Sequence, residues 1–449
     1  MKAAIFFGNF GPYHHARVVA LQKYCSINGV EVFPVQVASS TSIYAWKSNE
    51  IPSMHKPLSS QVTTNTLDNP ISPRASALIT LFSGVEETIS PFLVFIRARI
   101  LLQKHSVKVA FLPSYSPLRY FALFAAAYSL RIHTVMMNDS HAKTASLSRW
   151  KKWFKQLIVK RFDAALVAGK PHKRHFNNLG IPSNRIFTGY DAVDNTYFSN
   201  RANLIRLDAE NFRHAFGLPP RFFLSLGRMV SKKNLIILVE AYAMLYHKRP
   251  DINPPSLVFV GSGELESTLK SVALSRGLRV IDRYSFPHDI ASNSEDELIH
   301  LPGSIYFYGF RQIEDNPVFY ALSDAFILPS LHEEWGLVVN EAMACSLPVI
   351  VSETVGCVED LLPVSDIAEF ESETTFQSAN TQSFSQLRRN GYVFNPASAS
   401  SLFNALQLYL SLSDEQRLAM ADYSRSTVEL FSCENFARQA FSALQSTLL

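Results

Sequence analysis

The segment YALSDAFILPSLHEEWGLVVNEAMACSLPVIVSE, residues 320–353, reads as strand, acidic loop, helix and strand. Phe326, Ile327 and Leu328 form the short apolar run of a parallel strand covered on both faces, and Pro329 and Ser330 stop it. Gly336 allows the backbone to turn tightly at the start of the helix through Leu337, Val338, Glu341, Ala342 and Met343. The amides near Leu337 and Val338 would face a negative group. Two carboxylates, Glu333 and Glu341, bracket this helix start with seven residues between them. A buried strand that delivers a polar loop and a helix N-terminus to one spot is how α/β proteins hold phosphorylated ligands.

The rest of the chain repeats the alternation of strand and helix, which predicts parallel sheets with crossover helices. The first-half strands are expected at Ala3–Phe7, Val30–Val37, Val109–Leu112, His133–Met137, Ala164–Val167 and Ile186–Thr188. Those of the second half are expected at Phe222–Leu226, Leu257–Val260, Ile305–Tyr308, Ala325–Leu328, Pro348–Val351 and Gly391–Phe394. At 449 residues the chain exceeds one ordinary core, and a boundary is expected between Asp194 and Arg221, where a Pro-Pro pair precedes a new strand. Three polar stretches, 38–74, 282–302 and 364–389, read as insertions.

With 42 Lys and Arg against 38 Asp and Glu, the charge of +4 does not argue for nucleic acid. Cys25, Cys345, Cys357 and Cys433 lack CxxC spacing, so no zinc site is expected and a reduced, cytoplasmic compartment fits. The opening apolar run, Ala3–Phe7, is too short for a signal peptide, and no apolar stretch has the length of a membrane span. In 149–161, RWKKWFKQLIVKR, residues Trp150, Trp153, Phe154, Leu157 and Ile158 share one helical face and lysines occupy the others. This is the pattern of an interfacial anchor, on the cytoplasmic face of a membrane. Because the segment runs straight into a strand, the favoured expectation is that the apolar face packs on the sheet.

Other segments carry candidate chemistry. In FFLSLGRMVSKKN (222–234), Arg228 and Lys233 follow a strand that ends at Gly227, and both suit a diphosphate. Solvated loop cations are the bland alternative, with Lys232 competing for the place of Lys233. Gly261 and Gly263 in VGSGELESTL (260–269) form a GxG turn that cradles phosphate or simply caps its strand. In IYFYGFRQ (305–312), the backbone at Tyr308 and Gly309 could read a base edge, while the aromatic side chains pack in the core. Glu333 could accept from sugar hydroxyls and Glu341 from ribose; as ordinary acids they would do neither. All four elements sit at strand C-terminal ends, where open α/β sheets bind ligands.

LSLGRMVSKKN, VGSGELESTL, YFYGF, LPSLHEEWGLVVNEAMACSLPVIVSETVGCVEDLL and GYVFNP stand in one order over most of residues 222–396. This half resembles the retaining nucleotide-sugar glycosyltransferases of the GT-B fold, family 4 (glycosyl transferases group 1), and Glu333 and Glu341 match that family's Glu-x7-Glu pair. Ser346 stands where the family usually has glycine. The resemblance implies an α/β chain of two doubly wound Rossmann-like domains facing a central cleft. An acceptor-binding domain would span 1–200 and a donor domain 201–425, and a helix over 426–449 would cross back to the first. It implies that Arg228 and Lys233 hold the diphosphate, Glu341 the ribose, and Glu333 with the backbone of Trp335, Gly336, Leu337 and Val338 the sugar and phosphate. Gly261, Gly263, Tyr308 and Gly309 complete the donor site. In the first half it points to Gly11, in the glycine loop GNFGPYHHAR, and to His141 beside Asp139 in MMNDSHAK. Catalysis would rest on Glu333, Arg228, Lys233 and His141, with no cofactor and no metal.

The implied reaction moves a hexosyl-type unit from a nucleotide-diphosphate sugar to a saccharide or lipid-linked acceptor, in polysaccharide or glycolipid synthesis. A catalytically silent nucleotide-sugar-binding subunit is the alternative, as is a GT-B epimerase or phosphorylase. The epimerase gives no reason for the Glu-x7-Glu pair, and a phosphorylase would need a cofactor lysine site that the sequence does not reveal.

Overall fold

Short apolar runs bounded by Gly, Pro, Ser or Asn become parallel strands, and the longer stretches between them become the helices that carry the chain back. The computed structural model describes residues 1–41, 78–141, 149–249, 251, 253–284, 303–363 and 386–448. Most of the three expected insertions lies outside these residues. The described chain divides into two units, Met1–Asp194 with Phe431–Leu449, and Asn195–Leu430.

The first unit begins with β1 (Lys2–Phe7), α1 (Pro12–Ile27), β2 (Glu31–Ser40), β3 (Ile79–Val85), α2 (Pro91–Lys104), β4 (Val109–Pro113) and α3 (Leu118–Ser129). It continues with β5 (His133–Asn138), α4 (Arg149–Val159), β6 (Ala164–Val167), α5 (Lys170–Leu179) and β7 (Ile186–Thr188). The strands pair in parallel in the order β3-β2-β1-β4-β5-β6-β7, and Ile5 of β1 lies between Pro34 and Phe111. Alternation along β1 builds two cores. Ala4 and Phe6 pack with residues of α2, α3 and α5, such as Val94, Leu123 and Phe176. Ala3, Ile5 and Phe7 pack on the other face with Val18 and Leu21 of α1.

In the second unit, α6 (Asn195–Leu207) and α7 (Ala209–Phe216) precede β8 (Phe222–Leu226), α8 (Leu235–Lys248), β9 (Ser256–Val260), α9 (Glu266–Ser275), β10 (Arg279–Asp282) and β11 (Ser304–Phe307). Then come α10 (Asn316–Leu322), β12 (Ala325–Leu328), α11 (Leu337–Ala344), β13 (Val349–Ser352), α12 (Val358–Leu361), β14 (Gln386–Arg388), β15 (Gly391–Phe394), α13 (Ala399–Leu410) and α14 (Asp414–Val428). The sheet order is β10-β11-β9-β8-β12-β13-β15-β14, parallel except for the edge strand β14. Strand order reverses between β8 and β12, the point at which an open α/β sheet leaves a crevice at its strand ends.

The unit boundary at Asp194/Asn195 lies ahead of the expected break at 200/201, which falls inside α6. The last helix starts at Cys433, not near 426, because α14 runs to Val428 and Ser432 caps the new helix by accepting from the Asn435 amide at 3.3 Å. This helix, α15 (Cys433–Ser446), lays Phe436, Ala440 and Leu444 into the α1 side of the first unit's core. Helix α4 departs from the favoured expectation. Lys155 and Val159 face inward, whereas Trp153, Phe154 and Leu157 are exposed. Among the described residues no helix is long and apolar enough to cross a membrane.

Candidate functional site

At the β8–β12 switch point, two loops meet. The chain leaving β8 turns at Gly227, whose φ of 141° disfavours a side chain, and reaches α8 through a 3-10 turn, Ser231–Lys233. The chain leaving β12 runs from Pro329 to Gly336, which caps α11 at φ 102°. Lys233 Nζ lies 2.6 Å from Glu333 Oε2, with both side chains largely buried. Lys232 stands outside this pair, 3.8 Å from Glu333 Oε1 and 3.4 Å from Glu334 Oε2. Ser330 Oγ donates to Glu333 Oε2 at 3.3 Å. Arg228 is exposed. Arg228 and Lys233 line a small hollow open to solvent, together with Phe259 of β9 and Leu328 of β12. A Cβ on Gly336 would lie 3.3 Å from Leu328 and 3.6 Å from the Glu333 side chain, so α11 begins at the edge of the same hollow.

The glycines of VGSGE have a backbone explanation. A Cβ on Gly261 would lie 2.0 Å from the Gly227 carbonyl oxygen, and one on Gly263 would lie 2.4 Å from that of Met229. The approach is sealed by hydrogen bonds from Gly227 N to Val260 O at 2.9 Å, from Met229 N to Ser262 O at 2.9 Å and from Leu265 N to Met229 O at 3.0 Å. These glycines let one loop lie directly on another, and so fix where Arg228 emerges. The acidic loop is braced in the same way. A Cβ on Gly356 would fall 1.7 Å from the Glu334 carbonyl oxygen, the Gly356 amide donates to Glu333 O at 3.1 Å, and Cys357 N donates to Trp335 O at 3.2 Å.

Other expected residues take different places. Glu341 is fully buried and accepts from Asn316 Nδ2 of α10 at 3.4 Å. Trp335 is buried, its indole donating to Asn340 Oδ1 at 2.9 Å. The Tyr308 phenol turns into the core and donates to Gly217 O at 2.8 Å, and burial raises its pKa. Tyr308 N donates to Phe259 O at 3.0 Å and Gly309 O accepts from Gly261 N at 2.7 Å, so these backbone groups tie neighbouring strand ends together. Sequence reasoning missed Asn316 and Gly356. Nothing in their neighbourhoods marks Asn316, whereas the glycine in TVGCVED was a readable sign of close approach.

Gly11 and His141 belong to the first unit. The Gly11 amide donates to His14 Nδ1 at 3.1 Å, and His14 stacks on Phe7 with ring centroids 4.2 Å apart. Gly169 N donates to His172 Nδ1 at 3.2 Å in the same way, so Gly-Xaa-Xaa-His starts both α1 and α5. Here His stands at the third helical position, where a capping box would use Glu or Gln. Desolvation, then the nearby Arg17, push the His14 pKa down to about 3. His141 is buried with its ring edge-on to His172, centroids 5.2 Å apart. Close to Gly8, Glu86 is buried and accepts from Arg119 Nε at 2.8 Å and from the Tyr120 hydroxyl at 2.6 Å.

Comparison with known proteins follows this division. Residues 220–411 match the family described as Glycosyl transferases group 1. An uncharacterised glycosyltransferase of Methanocaldococcus jannaschii is 24% identical over 183 residues, 40% of each chain. The chain spans less than half the length of the curated relatives it matches. Among solved structures, a glycosyltransferase from Rickettsia africae superposes with a TM-score of 0.67 at 16% identity, covering 100% of this chain and 98% of that one. Anabaena HepE, crystallised with UDP and glucose, gives 0.62 at 15% identity, covering 99% and 100%. The chain therefore has the GT-B fold, and residues 220–411 of its second unit are similar to the glycosyl transferases group 1.

Proposed function

We propose that the chain is a retaining glycosyltransferase of family 4. It transfers a hexosyl-type unit from a nucleotide-diphosphate sugar to a saccharide or lipid-linked acceptor in polysaccharide or glycolipid synthesis. The observation that carries this reading is the meeting of Arg228, Lys233 and Glu333 at the β8–β12 switch point, beside the start of α11. Negative charge grows on the diphosphate as the sugar departs. Fixed donors aimed at that charge stabilise the transition state more than the ground state. In this reading Arg228 approaches the diphosphate from solvent. Lys233 shifts from Glu333 toward phosphate, freeing the Glu333 carboxylate for sugar hydroxyls. The amides opening α11 face the distal phosphate. These groups take the part a metal would otherwise play, and retention follows from attack on the face the phosphate leaves.

The match to group 1 glycosyltransferases and the likeness to a protein crystallised with UDP support a nucleotide-sugar donor and make uridine nucleotides the first to test. Glu341, 0% exposed, reaches ribose only if the Asn316 contact opens on binding. Incubation with candidate donors and no acceptor tests the reading. Slow release of nucleoside diphosphate, undiminished by a chelator, is the expected result. Donor binding without any release, with or without acceptor, would leave a silent binding subunit. Loss of turnover on chelation would overturn metal independence.

A further inference from the structure

Helix α4 turns outward much of the side that its sequence suggested would be covered, keeping Ile158 against the core. Trp153 is 50% exposed and Phe154 61%, while Lys155 points inward, its Nζ 3.2 Å from His175 Nε2. The neighbouring helices do the same. Phe92 at the start of α2 is 68% exposed and Leu118 at the start of α3 is 72% exposed, with Phe121 a turn further on. All three helices pack on one face of the first sheet, through Val94, Leu123 and Val159. They are tied in sequence, α2 to α3 by Arg99 and Ser129, and α3 to the end of α4 by Arg161 Nη1 donating to the Tyr128 hydroxyl at 3.2 Å. Each follows the C-terminal end of a strand, so the exposed side chains near the helix starts gather at one rim of the unit.

Charge selects what would cover this rim. Helices α2, α3 and α4 contain eight Lys and Arg and no Asp or Glu; Lys155 points inward and Arg119 pairs with Glu86, which leaves six. The rest of the chain therefore has 42 − 8 = 34 cations against 38 carboxylates. Exposed Arg131, Lys160 and Arg161 carry the same sign past the far ends of α3 and α4, away from the rim. A second copy presenting the same face would meet mostly like charge, because the carboxylates nearest the helix starts are Glu86, already taken by Arg119, and the exposed Glu87. An anionic lipid surface offers both missing partners, headgroup charge for the cations and an acyl boundary for the aromatic and leucine side chains. We propose that the rim formed by α2, α3 and α4 docks the first unit on an anionic bilayer, with Trp153, Phe154, Leu118 and Phe92 entering the interface. The inference stands independently of the transferase reading.

Flotation with phosphatidylcholine vesicles, with and without phosphatidylglycerol, tests it. The full chain should float with the anionic vesicles alone, and less as salt is raised, because screening weakens the headgroup contribution. Trp153→Ser with Phe154→Ser should reduce the bound fraction at least tenfold, while the thermal shift produced by a nucleoside diphosphate stays as in the wild type. Should that variant fail to fold, the wild-type tryptophan emission gives the second readout and should move to the blue on adding anionic vesicles. Absence of flotation on anionic vesicles at low salt would overturn the proposal. So would equal flotation of the folded variant, or a wild-type dimer in sedimentation that the same substitutions dissolve.

Discussion

The two units solve one problem by different means. Each must hold open the C-terminal end of a parallel sheet at the point where strand order reverses. In the second unit the rim is made of backbone laid on backbone: Gly261 on Gly227, Gly263 on Met229 and Gly356 on Glu334. Arg228 lines the hollow beside this backbone frame, and Lys232 and Lys233 gather on Glu333. In the first unit the rim is held by side chains. Glu86 collects Arg119 and Tyr120, and His14 accepts from the Gly11 amide. A rim of glycine contacts fixes positions tightly and tolerates almost no substitution. One held by side chains can change its lining while the strands stay put.

The contrast breaks most visibly at Gly261. Replacement by Ala puts a methyl 2.0 Å from a carbonyl oxygen at a φ of 131°. A loss of about 3 kcal/mol is expected, lowering the Tm of a unit this size by roughly 10 °C, together with donor binding. Differential scanning calorimetry checks it, and an unchanged melting curve would show that the loops are not held by this contact. Next comes Arg228→Ala, which should leave the Tm untouched and lower turnover about 100-fold. If steady-state rates with the true donor stay near wild type, Arg228 is only a solvated loop cation. For Glu333→Gln the expected outcome is a turnover loss of about 10-fold with little change in nucleoside-diphosphate affinity. Calorimetric titration and rates together separate the two, and equal losses would move Glu333 away from the sugar.

The smallest effect sharpens the first-unit side of the contrast. Folded His14 is held neutral, with its pKa pushed down to about 3 from 6.5. The unfolded chain therefore takes up this proton first. His14 contributes its full share of stability above pH 6.5, and that share is lost as the pH falls toward 3. His14→Gln keeps an acceptor at the same helical position without the titration. Its Tm should fall about 2 °C less than wild type on acidification, a modest figure because the ring is only half-buried. Parallel curves would mean that protonation leaves the cap intact.

The strands covered on both faces were legible because uninterrupted apolar runs have few other fates. Phe222–Leu226, Ala164–Val167, Ala325–Leu328 and Gly391–Phe394 have the same bounds in sequence and structure. β3, β10 and β14 were missed. Each lies at a sheet edge beside a polar segment, where one-sided pairing leaves only a weak pattern. At the switch point, residue types and spacing pointed to Arg228, Lys233 and Glu333. They could not tell a glycine that admits a ligand from one that admits another loop, as at Gly261, nor show that Glu341 would be enclosed with Asn316. Helix α4 shows the same limit. Its periodicity grouped Trp153, Phe154, Leu157 and Ile158 on one side, yet the first three are exposed and Ile158 packs on the core, because periodicity does not say which part of a face meets the sheet.

Helix α15 has a consequence for how the chain is made. Phe436, Ala440 and Leu444 complete a core whose other walls, β1 and α1, leave the ribosome more than four hundred residues earlier. At about 5–20 residues per second, the whole intervening unit can fold while the first still lacks one side. The opening half of the chain would then wait, with Val18 and Leu21 of α1 uncovered, for its final helix to be translated.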